Sequence, residues 1–335
     1  MATVAASNAE RVVRFGVSRG LSPERANALV PKSTRIAHER MAGIWDELGK
    51  TLGSPDLGIA LAMRSKLEDL GVLGFAVMTA PRADAALATF VRFSTLLSDA
   101  QRWEVTSDRR SVEVRLFMAR AHTLGERLSQ ETAIAQLVGA IRQLCGADVD
   151  PERIELAHED RPTRTHRDWL RCPMGHGARF HRVVFARSVF EATPPSANEA
   201  LHRYLCGRAE SEASALAPRP LATRVAIEIA RLLAIGEEPR LPAVAATLGT
   251  TPRSLRRALE RSGASFRTIA DDARRDRARE LLASEHIDVT RAAFECGFAD
   301  ASAFTHACRR WFGKSPSELR ALLDQGEISE ARCAS

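Results

Sequence analysis

Between residues 241 and 312 the chain repeats itself. Leu241, Val244, Ala245, Leu248 and Gly249 recur 48 residues later as Val289, Ala292, Ala293, Cys296 and Gly297. The apolar spacing i, i+3, i+4, i+7 puts one stripe on one face of a helix. The closing glycine reaches the left-handed backbone region that ends a helix. After each glycine stands a residue able to cap a new helix, Thr251 with Pro252 behind it, or Asp300. The second helix then carries Leu255 and Leu259 in one copy and Phe304 and Cys308 in the other, at an offset of 49. Helix, glycine-containing turn and capped helix is the pattern of a helix-turn-helix, and its duplication commits this part of the chain to an all-α fold.

Between the copies, SFRTIADDARRDRARELLAS sets Phe266, Ile269, Ala273, Ala278, Leu281 and Leu282 on one side and charge on the other. That predicts one amphipathic helix of about 18 residues, roughly 27 Å long. Such a rod suits two reading helices about one DNA turn, some 34 Å, apart. The stretch FECGFADASAFTHACRRWFGKSP then resolves into core and surface: Phe294, Phe298, Phe304 and Trp311 are expected to brace the helical unit, with Arg309, Arg310 and Lys314 outside. Charge points the same way. Pro218 to Leu323 holds 18 Lys plus Arg against 13 acidic residues, an excess of five in a chain whose net charge is +6, which suits an anionic partner for this part.

The clearest break in periodicity is CGRAESEASALAPRP, Cys206 to Pro220. It divides the chain into an N-terminal domain over 1–206, a linker over 207–220, the helical domain over 221–323 and a tail over 324–335. The N-terminal domain reads as mixed. Ser22, Pro23 and Glu24 start a helix, and Ile36, Ile44, Trp45 and Leu48 suggest a second. Val112, Val114, Leu116 and Met118 alternate with Ser111, Glu113, Arg115 and Phe117, the period of a half-buried strand, pairing with RWEVTS across a turn at Asp108 and Arg109. A helix over roughly Glu126 to Leu144 follows, then short strands in RIELAH and RFHRVVFA. The fold class is thus an α+β N-terminal domain followed by an all-α C-terminal domain with two helix-turn-helix units joined by a long helix.

Six cysteines, Cys145, Cys172, Cys206, Cys296, Cys308 and Cys333, show no paired spacing and read as reduced thiols. The N-terminus has no apolar core of signal-peptide length, and no apolar run approaches 18 residues. The expected location is cytoplasmic, with no membrane partner. No GxSxG, P-loop, GxGxxG or HExxH motif occurs. His158, His166, Cys172, His176 and His181 fall close together, but their spacings fit no common zinc pattern. Hydrogen-bonded or core roles are expected for these histidines, and neither metal nor cofactor is called for.

The duplicated unit resembles the AraC/XylS family of bacterial transcription regulators from about Leu221 to Leu322, most specifically in AAFECGFADASAFTHACRRWFGKSPSELR. The N-terminal part resembles the arabinose-binding-like effector domain of ornithine-utilisation-type regulators, through GLSPE, LGVLGFAVMTAP, RFSTLLSD, IELAHEDRP and RFHRVVFARSVFEATPP. The resemblance implies sequence-specific binding to double-stranded promoter DNA, controlled by a small-molecule effector or by homodimerisation, with RNA polymerase as a further partner. Matched through LRRAL, the first reading helix presents Arg253, Arg256 and Arg257 to bases, with Arg261 one turn on. Matched through FTHACRRWF, the second presents Ser302 and His306, with Thr305, Arg309 and Arg310 near the backbone. Arginine suits guanine because its fork reaches O6 and N7 together. The second helix departs from the family at His306, often Arg, and at Cys308, often basic or bulky. The alternative is a thiol-dependent enzyme with an appended helix-turn-helix module, for which Cys145, Cys172 or Cys206 would supply the nucleophile.

Overall fold

The computed structural model describes residues 2–118, 121, 123–158, 162–216, 220–282 and 287–324. Cys333 and nearly all of the expected tail lie outside the described residues. The chain divides into two compact units, Met1–Arg219 and Pro220–Ser335.

The N-terminal unit opens with β1 (Thr3–Ala5), α1 (Ala6–Ser18), α2 (Pro23–Leu29), β2 (Arg35–Ala37), α3 (His38–Leu52), α4 (Leu57–Ala62), α5 (Val72–Met78) and α6 (Ala83–Phe93). Ser22 caps α2, its hydroxyl accepting from the Arg25 N–H at 3.4 Å, with Pro23 in the first turn. Ile36 does not start the second helix as its spacing suggests. It lies in β2, paired with Val4 of β1, while Ile44, Trp45 and Leu48 form the buried stripe of α3.

The sheet follows as β3 (Arg102–Ser107), β4 (Ser111–Phe117), β5 (Arg153–Glu155), β6 (Met174–Gly175) and β7 (His181–Ala186), in spatial order β3-β4-β7-β5-β6. β3 and β4 are the expected hairpin, in register from Arg102↔Phe117 to Ser107↔Val112. At the turn, Asp108 accepts from the backbone N–H groups of Arg110 and Ser111, both at 2.7 Å, and these bonds hold its carboxyl below the usual range, that of Ser111 most. Val112, Val114 and Leu116 face the core as the alternation predicts. Phe117 is buried as well, against Phe180 at 5.0 Å between ring centroids.

Helix α7 (Leu124–Cys145) packs on the sheet, bringing Ile134, Val138 and Ile141 against Val114, Leu116, Val183 and Phe185. Thr123 and Glu126 cap it reciprocally. A Cβ on Gly125 would sit 2.1 Å from the Ala42 carbonyl oxygen, so the close approach of α7 to α3 requires glycine there. α8 (Arg164–Leu170) lies between β5 and β6, and α9 (Glu199–Ala215) ends the unit.

α9 corrects the expected linker over 207–220. The helix runs unbroken through Cys206 to Ala215, buries Ala209 completely, and packs its small residues on α5 and α6 with Leu73, Val77 and Phe93. Ala, Glu, Arg and Leu are strong helix formers. A helix that buries only alanines has little hydrophobic periodicity to read.

The C-terminal unit is wholly helical among the described residues: α10 (Leu221–Ala234), α11 (Leu241–Thr247), α12 (Pro252–Arg261), α13 (Phe266–Leu282), α14 (Val289–Glu295), α15 (Ala301–Phe312) and α16 (Pro316–Asp324). It has two small cores. Val225, Ile229, Leu232 and Leu233 of α10 close over Val244, Ala245, Leu255 and Leu259. Ala292, Ala293, Cys296, Phe304 and Cys308 form the other with Leu319 of α16. α13 belongs to both, giving Ala270 to the first and Ala278, Leu281 and Leu282 to the second. No helix of the described residues is long and apolar enough to cross a membrane.

Candidate nucleic-acid interface

Each copy of the repeat places one helix so that its apolar side is buried and its polar side is free. In the first, Gly249 turns the chain at φ +67°. Thr251 then caps α12, its hydroxyl accepting from the Ser254 N–H at 3.2 Å, a bond worth about 1 kcal/mol. Leu255 and Leu259 are buried beneath the helix, each stabilising the docking by about 2 kcal/mol. At about 100° per residue, Arg253, Arg256, Arg257, Glu260 and Arg261 span an arc of roughly 140° on the opposite side. All four arginines are exposed. Their one internal hydrogen bond is from Arg261 Nε to the Arg257 carbonyl at 3.4 Å, and none has an ion-pair partner among the described residues.

The second copy is built alike. Gly297 turns at φ +72°, Asp300 caps α15 by accepting from the Ala303 N–H at 2.7 Å, and Phe304, Ala307 and Cys308 are buried. Burial in this apolar setting pushes the Cys308 thiol up to about 12. Phe298 packs edge-on against Trp311, with ring centroids 5.8 Å apart, and lies 5.5 Å from Phe304. Phe294 does not join them. It lies about 140° from the start of the α14 stripe, across from its buried side, and is 56% exposed.

The 49-residue offset superimposes the two polar faces position by position. Arg253, Arg256, Arg257, Glu260 and Arg261 match Ser302, Thr305, His306, Arg309 and Arg310. The faces differ sharply in free charge. In α15, Ser302, His306 and Arg309 are exposed, but the Thr305 hydroxyl donates to the Ala301 carbonyl at 2.7 Å. Arg310 reaches back to Asp271 of α13 at 3.1 Å and lies over the Trp311 ring. The first face offers four unpaired guanidiniums around one carboxylate. The second offers one unpaired guanidinium, a hydroxyl and an imidazole.

Sequence reasoning missed Glu260 and Asp271. Glu260 lies centrally among the arginines, where a carboxylate can accept from cytosine N4 or exclude other bases. Its place on the i, i+3, i+4, i+7 row from Arg253 was available as a signal. The tie from Asp271 to Arg310 was not, because it joins groups 39 residues apart.

His158, His166 and His181 are built into the core, while His176 is half-buried. His158 Nε2 lies 3.2 Å from Glu131 Oε1, His166 Nε2 3.4 Å from Glu131 Oε2, and His181 Nε2 2.9 Å from Gln130 Oε1. Cys172 packs instead against the sheet core. No group of three or more His, Cys, Asp or Glu side chains is arranged to hold a metal ion among the described residues. The thiols that an enzymatic reading would need are shifted away from activation. Burial pushes Cys145 and Cys172 up to about 11, and burial also raises Cys206.

Comparison with known proteins agrees with this geometry. A helix-turn-helix domain model matches residues 244–322. Residues 19–194, more than half of the chain, match the model described as the arabinose-binding domain of AraC transcription regulator, N-terminal. The chain belongs to the AraC family of transcription regulators. Among its relatives in that family, the ornithine utilization regulator of Pseudomonas aeruginosa is 28% identical over 275 residues, 80% of this chain and 79% of that one. An uncharacterized helix-turn-helix-type transcriptional regulator of Mycobacterium tuberculosis is 26% identical over 321 residues, 93% and 92% of the two chains. The crystal structure of the transcriptional regulator CdpR from Pseudomonas aeruginosa, 22% identical, aligns over 94% of this chain and 98% of its own with a TM-score of 0.48. This AraC-type regulator therefore carries an N-terminal effector-binding domain and a helix-turn-helix DNA-binding domain.

Proposed function

We propose that this regulator reads an asymmetric promoter site in double-stranded DNA, with α12 as the principal reading helix and α15 as the weaker one. Arg253, Arg256 and Arg257 contact base edges with Arg261 at the adjoining phosphates. Ser302 and His306 contact bases more lightly, while Thr305, Arg309 and Arg310 lie along the backbone. The observation that carries this reading is the set of four exposed, unpaired arginines on the face of α12 opposite buried Leu255 and Leu259. Unpaired guanidiniums on a capped, rigid helix keep their forks for guanine O6 and N7 or for phosphate. The N-terminal domain binds the small-molecule effector and joins two copies of the chain, RNA polymerase is engaged at the promoter, and the protein works in the cytoplasm.

Selection of binding sites from random duplex DNA with the full chain tests the proposal. The expected result is an enriched sequence containing a guanine-bearing element, bound with an affinity that falls steeply as salt rises, through release of counterions. Recovery of no preferred sequence would overturn base reading by either helix.

A further inference from the structure

The N-terminal unit holds a partly open cavity of about 110 Å³ between α1, α3, α6, β3 and α7, room for a small organic molecule. Its walls are mainly apolar, with Trp45, Phe90, Trp103 and Leu137 among the large side chains that line it. Ser98, Gln101, Ser129, Thr132 and Gln136 add polar groups, and one charge stands among them. Arg11 of α1 lines the cavity and is largely buried. Its Nη2 donates to Asn8 Oδ1 at 3.2 Å, whereas Nε and Nη1 have no hydrogen-bond partner in the protein. His38, also in the lining, has a buried Nδ1 without a partner.

A guanidinium in such a place carries an uncompensated cost. Burial pushes Arg11 below the usual arginine range, while Asp69 acts through its charge to favour the cation and Arg14 to disfavour it. Asp69 acts on Arg11 from beyond ion-pair distance, its carboxylate accepting from the Lys66 N–H at 2.8 Å. No carboxylate lies within ion-pair distance of Arg11 among the described residues.

We propose that this cavity binds a small monocarboxylic acid with an apolar body, its carboxylate on Arg11 and its body between Trp45, Phe90 and Trp103. One guanidinium matches one negative charge, and its planar fork fits a carboxylate. A phosphate dianion would be left half-neutralised, because no second fixed cation lines the cavity. A neutral sugar would find hydroxyl partners in Ser98, Gln101, Ser129, Thr132 and Gln136 but would leave the buried charge of Arg11 uncompensated. Asn8 and Arg11 stand three residues apart on α1, so they hold the acid group together, with the His38 ring able to donate a further hydrogen bond. The inference rests on the effector reading above for its regulatory consequence, but not for binding itself.

The test uses the full chain and the probes butanoate, octanoate, dodecanoate and phenylpropanoate, each beside its primary amide, with a neutral pentose as control. Binding is followed by calorimetry and by tryptophan fluorescence. At least one acid is expected to bind about tenfold or more tighter than its amide, the difference a charge-assisted pair supplies. Arg11→Met is expected to bring acid and amide to within about threefold of each other, and Arg11→Lys to restore part of the preference. Equal binding of every acid and its amide by the wild-type chain, binding of none of them, or a preference that survives Arg11→Met would each overturn the proposal. If Arg11→Met does not fold, the acid-against-amide comparison on the wild-type chain decides. The same complexes are then titrated with selected operator DNA. Arg11-dependent acid binding that leaves operator affinity unchanged would sink effector control while the cavity assignment stands. Operator binding that shifts with octanoate but not with octanamide supports both.

Discussion

Glu295 ties α14, the helix on which the second reading helix packs, to α13. Its carboxylate accepts from Arg277 Nη2 of α13 at 2.9 Å and from Arg291 Nε at 3.3 Å. The Glu295 and Arg277 side chains are 7% and 11% exposed, and that of Arg291 is 65% exposed. Glu295→Leu therefore takes from the nearly buried Arg277 the carboxylate it donates to across the two helices, while Arg291 regains water. Breaking a buried pair from one side costs about 3–5 kcal/mol, and the residual exposure of Arg277 puts this case near 3 kcal/mol. The consequence is local: α14 and α15 open more often, by a factor of roughly a hundred. Hydrogen exchange of the full chain, followed for peptides spanning Val289–Phe312, reads that factor directly. The double variant Glu295→Leu, Arg277→Leu removes both charges and is expected to return exchange to within about fivefold of wild type, because apolar replacement of a whole buried pair is often neutral. Unchanged exchange in the single variant, or a double variant as fast as the single one, would show that the Glu295–Arg277 pair does not hold α14 to α13.

Arg309→Ala is expected to weaken all DNA sequences about equally and to lower the salt dependence of binding by about one counterion, as for a phosphate contact; loss confined to one base position, measured on an operator-variant panel, would move Arg309 to the base-reading class. His306→Ala is expected to cost about 1 kcal/mol or less of operator affinity at neutral pH, and His306→Arg to raise affinity and strengthen protection of the half-site read by α15, both measured at fixed salt by binding titration and footprinting. Cys308, held neutral by burial up to about 12, is expected to escape alkylation by iodoacetamide at pH 8 in the native chain and to react in urea, as mass spectrometry would establish. Its raised folded value also means that the stability it contributes is fully present below the ordinary thiol range, near pH 9, and is lost as pH climbs from there toward 12. Thr251→Ala is expected to lower the stability of the α11–α12 unit by about 1 kcal/mol through loss of the cap, read as faster exchange at Ser254 and Leu255.

The sequence disclosed most where one physical rule dominates. The helix-turn-helix repeat was legible because apolar period, left-handed glycine and capping oxygen all coincide twice, and Gly249, Gly297, Thr251 and Asp300 play those parts in the structure. The β3–β4 hairpin was legible through its alternation. Legibility failed where contact with distant elements overrides local pattern. Ile36 pairs in a strand with Val4 although its spacing fits a helix, and α9 hides in an alanine-rich stretch because the partner that buries Ala209 lies in α5 and α6. At the candidate interface, the polar faces of α12 and α15 could be assigned from spacing, since the face opposite a buried stripe must be exposed. The greater part of the difference between them was legible too, since Ser302, Thr305 and His306 stand where the first copy has Arg253, Arg256 and Arg257. What spacing could not show is Asp271 engaging Arg310 and Thr305 turning its hydroxyl to its own helix.

On the proposed reading, α12 contacts bases and does so more strongly than α15. Affinities of the full chain and of Arg256→Ala for a selected operator and for every single-base-pair variant of it test this most directly. Arg256→Ala is expected to lose about 1–3 kcal/mol on the selected operator and to become indifferent to the base at one position, keeping its discrimination elsewhere. A loss spread evenly over all variants would make Arg256 a phosphate contact, and a smaller loss from Arg256→Ala than from His306→Ala would reverse the order of the two helices.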